Sequence, residues 1–488
     1  MIDLSKIAEQ LLYQREAPLL FNSILFLILF IVFLALFIPV RNKIALRNTW
    51  LLIFSVYFYY KSSGWYFLLL LGTSFAAHYL TLSIHQNPAA KWRKPLFVFS
   101  ITLNLALLAW FKYANFLGGA AADLGLGGWQ IEDIFLPLGI SFYTFELISY
   151  TSDVYLGKFK PVSSLRDFLL YISFFPHLVA GPIVRPDELL PQLEEGAESN
   201  AEKTGKAVFL ILSGLLKKAV ISDYIGVNFV DRIFDNPLLY SPTENLMGMY
   251  GYTLQIFCDF SGYSDMAMGI ALLMGFHLPL NFRQPYQSLS ITEFWRRWHI
   301  SLSSWLRDYL YIPMGGNRRG KFRQYFHLMM TMLLGGLWHG ASWKFVAWGG
   351  IHGGLLATER ATEGWRKKFF HKRWFRILGG IITFHLVAVC WIFFRAQDFE
   401  TAGNMIMKIA SGAEPGMAMR VIGAYPEVFA LMFLGYIMQF CPERISLNTE
   451  KRITGASLPV QVLLLVLMCW WVYQTKSAKV QPFIYFQF

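Results

Sequence analysis

Long stretches without a single charged residue constrain this chain more than any other feature: Ala17–Val40, Ser62–Ala90, Pro95–Phe111, Phe168–Val184, Gln324–Trp343, Ile377–Phe394 and Ile453–Thr475. A helix crossing the hydrocarbon core of a bilayer needs about 20 mostly apolar residues. Each stretch meets or approaches that length, so the chain reads as a polytopic membrane protein. Composition agrees: only 15% of its 488 residues are charged, where soluble domains carry about a quarter. Further spans with internal charge are expected at Ile134–Tyr155, which holds Glu146 and Asp153, at Asn245–Phe276, which holds Asp259 and Asp265, and from Glu427 to Phe440. Trp50–Tyr60 is too short to cross unless tilted or re-entrant. The expected architecture is all-α, with roughly ten to twelve membrane helices in one domain covering residues 1–488.

The net charge of +12 does not point to nucleic acid. The basic residues fall between apolar spans, where cytoplasmic loops concentrate Lys and Arg. They group as Arg41, Lys43 and Arg47, then Lys91, Arg93 and Lys94, then the densest cluster from Arg366 to Arg376. The Gly-rich stretch Gly118–Asp133 has Asp123, Glu132 and Asp133 but no Lys or Arg, and is expected on the outer side. Residues 1–18 are charged and amphipathic, and read as a segment along the membrane surface or a solvated overhang, not as a secretory signal. The acidic stretch Asp187–Glu202 is expected as a solvated loop or a partner-docking site. Cys258, Cys390, Cys441 and Cys469 lack paired spacing and imply neither a disulfide framework nor a metal site.

No zinc-protease HExxH, serine-hydrolase GxSxG, Walker-type phosphate loop or intact GxGxxG is present. The informative region is 281–343. Its first half predicts one amphipathic helix, capped by Ser290 or Thr292, with Glu293 paired to Arg297. Phe294, Trp298, Leu302 and Trp305 form one stripe, and Trp295, His299, Leu302 and Leu306 an adjacent one. A basic, Trp-rich helix of this kind belongs at the membrane interface, with His299 at headgroup depth or just inside. His339 stands in the charge-free run Gln324–Trp343, flanked by Gly335, Gly336 and Gly340.

A histidine in a membrane segment is costly unless it faces a polar cavity or finds partners. Imidazole also acts as a base near neutral pH, so His339 is either a functional centre or a residue bonded to a neighbouring helix. The glycines would let helices, or a long thin substrate such as a donor arm, approach closely. His352 lies about 20 Å further along a continuous helix and on the opposite face, which excludes it as a partner unless Gly349–Gly350 breaks that helix. Asp259 and Asp265 invite a proton-path reading, or a lining role beside Tyr263 or Ser261. Six residues apart, they do not share a helix face. His78, His277, His327 and His385 read as satisfied core or interface residues, His85 and His371 as solvent-facing.

Six motifs in order then carry a family resemblance: LPLGISFYTFELISYTSDVY (Leu136–Tyr155), YISFFPHLVAGPIVR (Tyr171–Arg185), DFSGYSDMAMGIALLMGFHLPLNFRQPY (Asp259–Tyr286), RRWHISLSSWLRDYLYIPMGGNR (Arg296–Arg318), LLGGLWHGASW (Leu333–Trp343) and FIYFQF (Phe483–Phe488). Together they resemble the membrane-bound O-acyltransferases, and within them the bacterial branch of alginate and peptidoglycan O-acetyltransferases. One departure is His177, where that branch commonly has Gln.

The resemblance implies a helical membrane fold around a central chamber, with His339 as the catalytic residue and His299 at the second family position. It implies a thioester donor, acetyl-CoA or an acyl carrier protein, reaching the cytoplasmic side of a bacterial inner membrane. It implies a hydroxyl acceptor on a cell-surface or cell-wall polysaccharide, no permanently bound cofactor or metal, and a separate periplasmic esterase-like protein for the final transfer. His339 would act as general base or carry the acetyl group covalently, while His299 orients or shares the proton. Trp295, Arg296, Arg307, Asp308, Asn317, Arg318, Trp338 and Ser342 are then candidates for donor and substrate binding, and Asp259, Tyr263 and Asp265 for lining the chamber. Two rival readings stay open: D-alanyl-type transfer from a carrier protein to a cell-wall polymer, and a transporter that uses Asp259 and Asp265 without chemistry.

Overall fold

The computed structural model describes residues 9–475 apart from 133, 198, 199, 319, 370, 371 and 413, together with Phe483 and Ile484. Residues 1–8 of the expected amphipathic segment, Asp133, His371 and the last four residues of FIYFQF lie outside the described residues. Among the described residues every regular element is helical. They pack into two compact units, Met1–Ala207 with Ala267–Pro279, and Val208–Met266 with Leu280–Phe488.

The first unit holds α1 (Ile24–Phe37), α2 (Ile44–Ser63), α3 (Phe67–Gln86), α4 (Arg93–Leu108), α5 (Ile140–Tyr155) and α6 (Leu165–Ser173). Ser23 starts α1 by accepting the Phe26 N–H, and Phe26, Phe30, Phe33 and Phe37 then recur at helical spacing on its buried side. The Phe175 ring fills the space between this stripe and Phe54 and Phe58 of α2. Arg47, grouped above with the loop cations, is instead fully buried in α2. Its guanidinium donates to the Leu193 and Glu195 carbonyls at 2.6 and 2.7 Å, so it caps the end of the helix Pro186–Glu194. That helix replaces the first half of the loop expected at Asp187–Glu202. Pro186 opens it, and the Glu188 carboxylate accepts the Arg185 N–H at 2.7 Å.

The second unit is built around the part of α7 (Pro242–Leu273) up to Met266, with α8 (Ile291–Arg297), α9 (Ile300–Leu306), α10 (Lys321–His339), α11 (Trp343–Ala361), α12 (Arg373–Arg395), α13 (Pro415–Ala424), α14 (Pro426–Phe440) and α15 (Leu458–Thr475). Among the described residues four helical stretches are long and apolar enough to cross a membrane: Ile44–Gln86, Arg93–Asp123, α12 and α15. A fifth forms if α13 and α14, bent by 104° at their junction, count as one broken span. Leu463, Val466, Leu467 and Trp470 of α15 are all more than half exposed, a surface suited to lipid and unfavourable in water. The protein is a multi-pass, all-α membrane protein. Other expected spans are shorter: α5 has 16 residues, and Phe168–Val184 breaks after Ser173, where Pro176 opens a separate turn at Phe175–Leu178.

The turn Gly340–Ser342 folds α11 back along α10, and glycines set how closely they approach. A Cβ on Gly336 would strike the Phe345 carbonyl and Gly349; one on Gly349 would strike the Met332 carbonyl; one on Gly340 would meet the Phe345 ring. Gly336 and Gly340 are therefore filled by α11, and a Cβ on Gly335 would meet Leu306, so these glycines are not left open for a donor arm as the sequence suggested. Gly349→Val is expected to destabilise by about 1–3 kcal/mol through overpacking, whereas Gly354→Ala, which meets nothing within 4 Å, should be neutral. Melting temperatures in detergent would reveal the difference, and equal values for the two variants would contradict this packing.

Candidate active site

The single amphipathic helix expected over residues 290–307 is broken at its centre. α8 ends at Arg297, α9 begins at Ile300, and His299 between them takes a left-handed backbone conformation with φ 43°. For a non-glycine residue that costs of order 1 kcal/mol or more, and must be over-determined by its surroundings. The segment at Asn281–Arg283 supplies the determinants. Ile300 N–H donates to the Asn281 carbonyl and Arg283 N–H to the Arg297 carbonyl, both at 2.9 Å, so backbone groups freed by the break are satisfied. The break also changes the neighbours of His299: its ring meets Phe260 edge-on, with centroids 4.5 Å apart.

Asn281 fixes the imidazole as well as the backbone. Its Oδ1 lies 3.1 Å from His299 Nδ1 and accepts the Ser301 hydroxyl at 2.9 Å, while its Nδ2 donates to the Ser264 hydroxyl at 3.3 Å. With Oδ1 committed as an acceptor, Nδ1 of a neutral His299 carries the proton and Nε2 the lone pair. His299 and Asn281 are both fully buried. Sequence reading gave Asn281 no role; a short polar residue opening the 281–343 region was the available signal.

His339 ends α10, 3% exposed, inside a box of aromatic rings. Trp338, Trp348 and Phe394 stand 5.1, 5.1 and 5.3 Å away, each near edge-on. Trp338 also faces His299 at 6.1 Å, so one indole contacts both histidines. One continuous helix would put His352 about 20 Å from His339 and on the opposite face. Because the chain reverses at Gly340–Ser342 and not at Gly349–Gly350, His352 returns beside the site, 4.7 Å from the Trp348 ring that also packs on His339.

The remaining residues divide. Trp295 packs edge-on against Trp348 and His352. Arg296 lines an open cleft of about 550 Å³ with Thr292, Glu293, Leu356, Glu359 and Arg366. Glu359 accepts from Arg366 at 2.7 Å and from the Thr292 N–H at 3.0 Å. Burial acts to raise its carboxyl, but those bonds outweigh it and hold the group below its ordinary value. Arg307 is exposed and engaged by Asp308 at 2.6 Å, Asn317 and Arg318 are exposed in the turn before α10, and Ser342 stands at the N-cap of α11.

Asp259 and Asp265 are held by lysines. Lys218 bridges Asp259 at 2.6 Å and Asp223 at 2.7 Å, and Lys217 meets Asp265 at 2.7 Å with Ser213 bonding the same oxygen at 2.8 Å. Tyr263 is buried beside Phe483. The adjacent lysines at 217 and 218, in an otherwise apolar run, were the overlooked signal. No group of three metal-binding side chains forms among the described residues.

With this geometry in place, comparison with known proteins assigns the class. Residues 162–396 match the membrane-bound O-acyltransferase family. The probable alginate O-acetylase AlgI of Pseudomonas putida is 35% identical over 502 residues, covering 96% of this chain and 100% of that protein. Its counterpart in Pseudomonas aeruginosa is 41% identical, over 79% of this chain and 74% of that protein. The peptidoglycan O-acetyltransferase of Helicobacter pylori is 36% identical over 80% and 79%. The chain belongs to the membrane-bound O-acyltransferase family, and is an enzyme of that class.

Lys218→Met would leave Asp223 and Asp259 buried without their cation. Breaking a buried ion pair on one side is expected to cost about 3–5 kcal/mol, and adding Asp223→Asn and Asp259→Asn should recover part of the loss. Thermal unfolding of the two variants tests this; a wild-type melting temperature for Lys218→Met would refute the network.

Proposed function

We propose that this enzyme transfers an acetyl group from a cytosolic thioester, acetyl-CoA or an acylated carrier protein, for O-acetylation of a cell-surface or cell-wall polysaccharide. The observation that carries the reading is the convergence of His299 and His339 on the same Trp338 indole, both buried and both on family motif positions. The end-to-end match to an alginate O-acetylase supports the acetyl group and the polymer class over D-alanyl transfer. The paired states of Asp259 and Asp265 speak against a transporter that relies on free carboxylates.

In the reaction, His339 takes the proton of the acceptor hydroxyl as its oxygen attacks the acetyl carbonyl, or His339 is itself acylated first. The carbon–sulfur bond breaks and the thiolate leaves, recovering a proton. His299, held by Asn281 with its lone pair on Nε2, shares or orients that proton. The setting is the bacterial cytoplasmic membrane, with the donor approaching from the side of the basic loops. A periplasmic esterase-like partner completes delivery to the polymer.

Proteoliposomes supplied with labelled acetyl thioester provide the test. His339→Ala, folded as judged by its melting temperature, should lose at least a hundredfold in rate, and turnover at the wild-type rate would sink the assignment. Asn281→Ala should lower kcat about tenfold, as removal of an orienting partner does, with smaller change in KM. Consumption of a D-alanyl carrier in place of an acetyl thioester would establish the rival reading.

A further inference from the structure

Along α11 the residues Glu359, Leu356, His352, Trp348 and Phe345 recur every three or four positions, which places them on one face of the helix. The row starts at the open cleft, which Glu359 and Leu356 line, and reaches the ring that packs on His339. About 16 Å of helix rise separates Glu359 from Trp348. α8 runs beside it: Thr292, Glu293 and Arg296 line the cleft, Thr292 bonds Glu359, and the Phe294 and Trp295 rings cover His352.

The middle of this row is polar without internal partners. His352 is fully buried, yet no protein group among the described residues hydrogen-bonds either of its ring nitrogens. The same holds for the indole N–H groups of Trp295 and Trp348, whose rings both touch His352. Buried polar atoms are nearly always satisfied, and four orphans in one cluster call for a partner from outside the chain. A neutral imidazole offers one donor and one acceptor, and each indole offers one donor. The complementary ligand presents carbonyl oxygens and an N–H on a narrow chain. That is the chemistry of a secondary-amide arm, and not of an acetyl group, which has no donor to offer.

We propose that His352, with the indole N–H groups of Trp295 and Trp348, holds an amide of the donor's thioester arm as it passes from the cleft toward His339. The inference rests on the acyl-thioester reading above and adds to it a specificity-determining residue. His352 is a positioning residue: it fixes the arm's register so that the thioester carbon arrives at His339, and takes no part in bond making. The cleft itself is electrically balanced: Glu293, Glu359 and Glu363 line it with Arg296, Arg360 and Arg366, and Glu359 pairs with Arg366 and Glu363 with Arg360. Selectivity for the donor therefore comes from the amides, more than from attraction of phosphate charge at the cleft.

The test compares two donors in the full-length protein: S-acetylpantetheine, which has the amides, and the acetyl thioester of propanethiol, which has none. Wild type is expected to prefer the amide-bearing donor in kcat/KM. His352→Phe keeps the ring stack and removes both nitrogens, and should reduce that preference about tenfold, the scale of one neutral hydrogen bond left unmade, mainly through KM. His352→Gln, which can still donate and accept, should recover much of it. An unchanged preference in His352→Phe, or a parallel loss with both donors, overturns the proposal and leaves His352 a packing residue. No preference in wild type overturns it too. Failure of wild type to use any acetyl thioester would instead overturn the functional reading beneath it.

Discussion

A polar group carried into an apolar helical protein must find its partner inside the protein, because neither lipid nor packed hydrocarbon supplies one. That requirement organises most of what is unusual in this chain. Arg47 spends its donors on the open carbonyls of the helix Pro186–Glu194. Lys218 draws Asp223 and Asp259 together, and Asp259 in turn accepts the Ile484 N–H, tying the chain's last described residues to α7. His177 lies 3.0 Å from Glu146, whose same oxygen accepts the Val184 N–H. Each of these is a local neutralisation, and each fixes the relative position of segments far apart in sequence.

Against that background the histidines separate into kinds. His327 and His385 are satisfied by a carbonyl or a tyrosine, as core residues are. His299 is satisfied on one nitrogen in a way that fixes its tautomer. His352 is satisfied on neither. Two buried ring nitrogens with no protein partner among the described residues mark His352 as a group left for something that binds. His339 and His299 are proposed from their motif positions and shared Trp338 ring, whereas His352 is proposed from its burial and its unbonded nitrogens alone.

The apolar runs made the class legible, because span length is a one-dimensional property, and the ordered motifs made the family legible before any geometry. What escaped was everything that depends on where a helix stops. Periodicity placed His299 on a continuous stripe with Trp295 and Leu302, since an apolar count along 290–307 does not register one left-handed residue. The same assumption of continuity separated His352 from His339, although Gly340–Ser342 turns the chain before it. The lysine partners of Asp259 and Asp265 were invisible for a related reason. They lie 41 and 48 residues away, on a π-helical turn at Leu216–Ser222 that no pairing rule along one helix would reach.

The break at His299 also explains why this region needs so much support. A left-handed residue in an otherwise helical stretch is unstable alone, and its neighbours lose the backbone bonds that a continuous helix would make. Asn281 and Arg283 restore those bonds from outside, and the Asn281 side chain then reaches the imidazole of the very residue that caused the break. Backbone strain and ring orientation are thus set by one side chain and one short segment, so loosening either loosens both. An uninterrupted helix would keep its backbone satisfied at no cost, but would hold His299 against Trp295 and Leu302 and away from Asn281. The strained turn is stable because its polar groups are satisfied nearby, and the oriented imidazole is what that arrangement leaves beside Trp338.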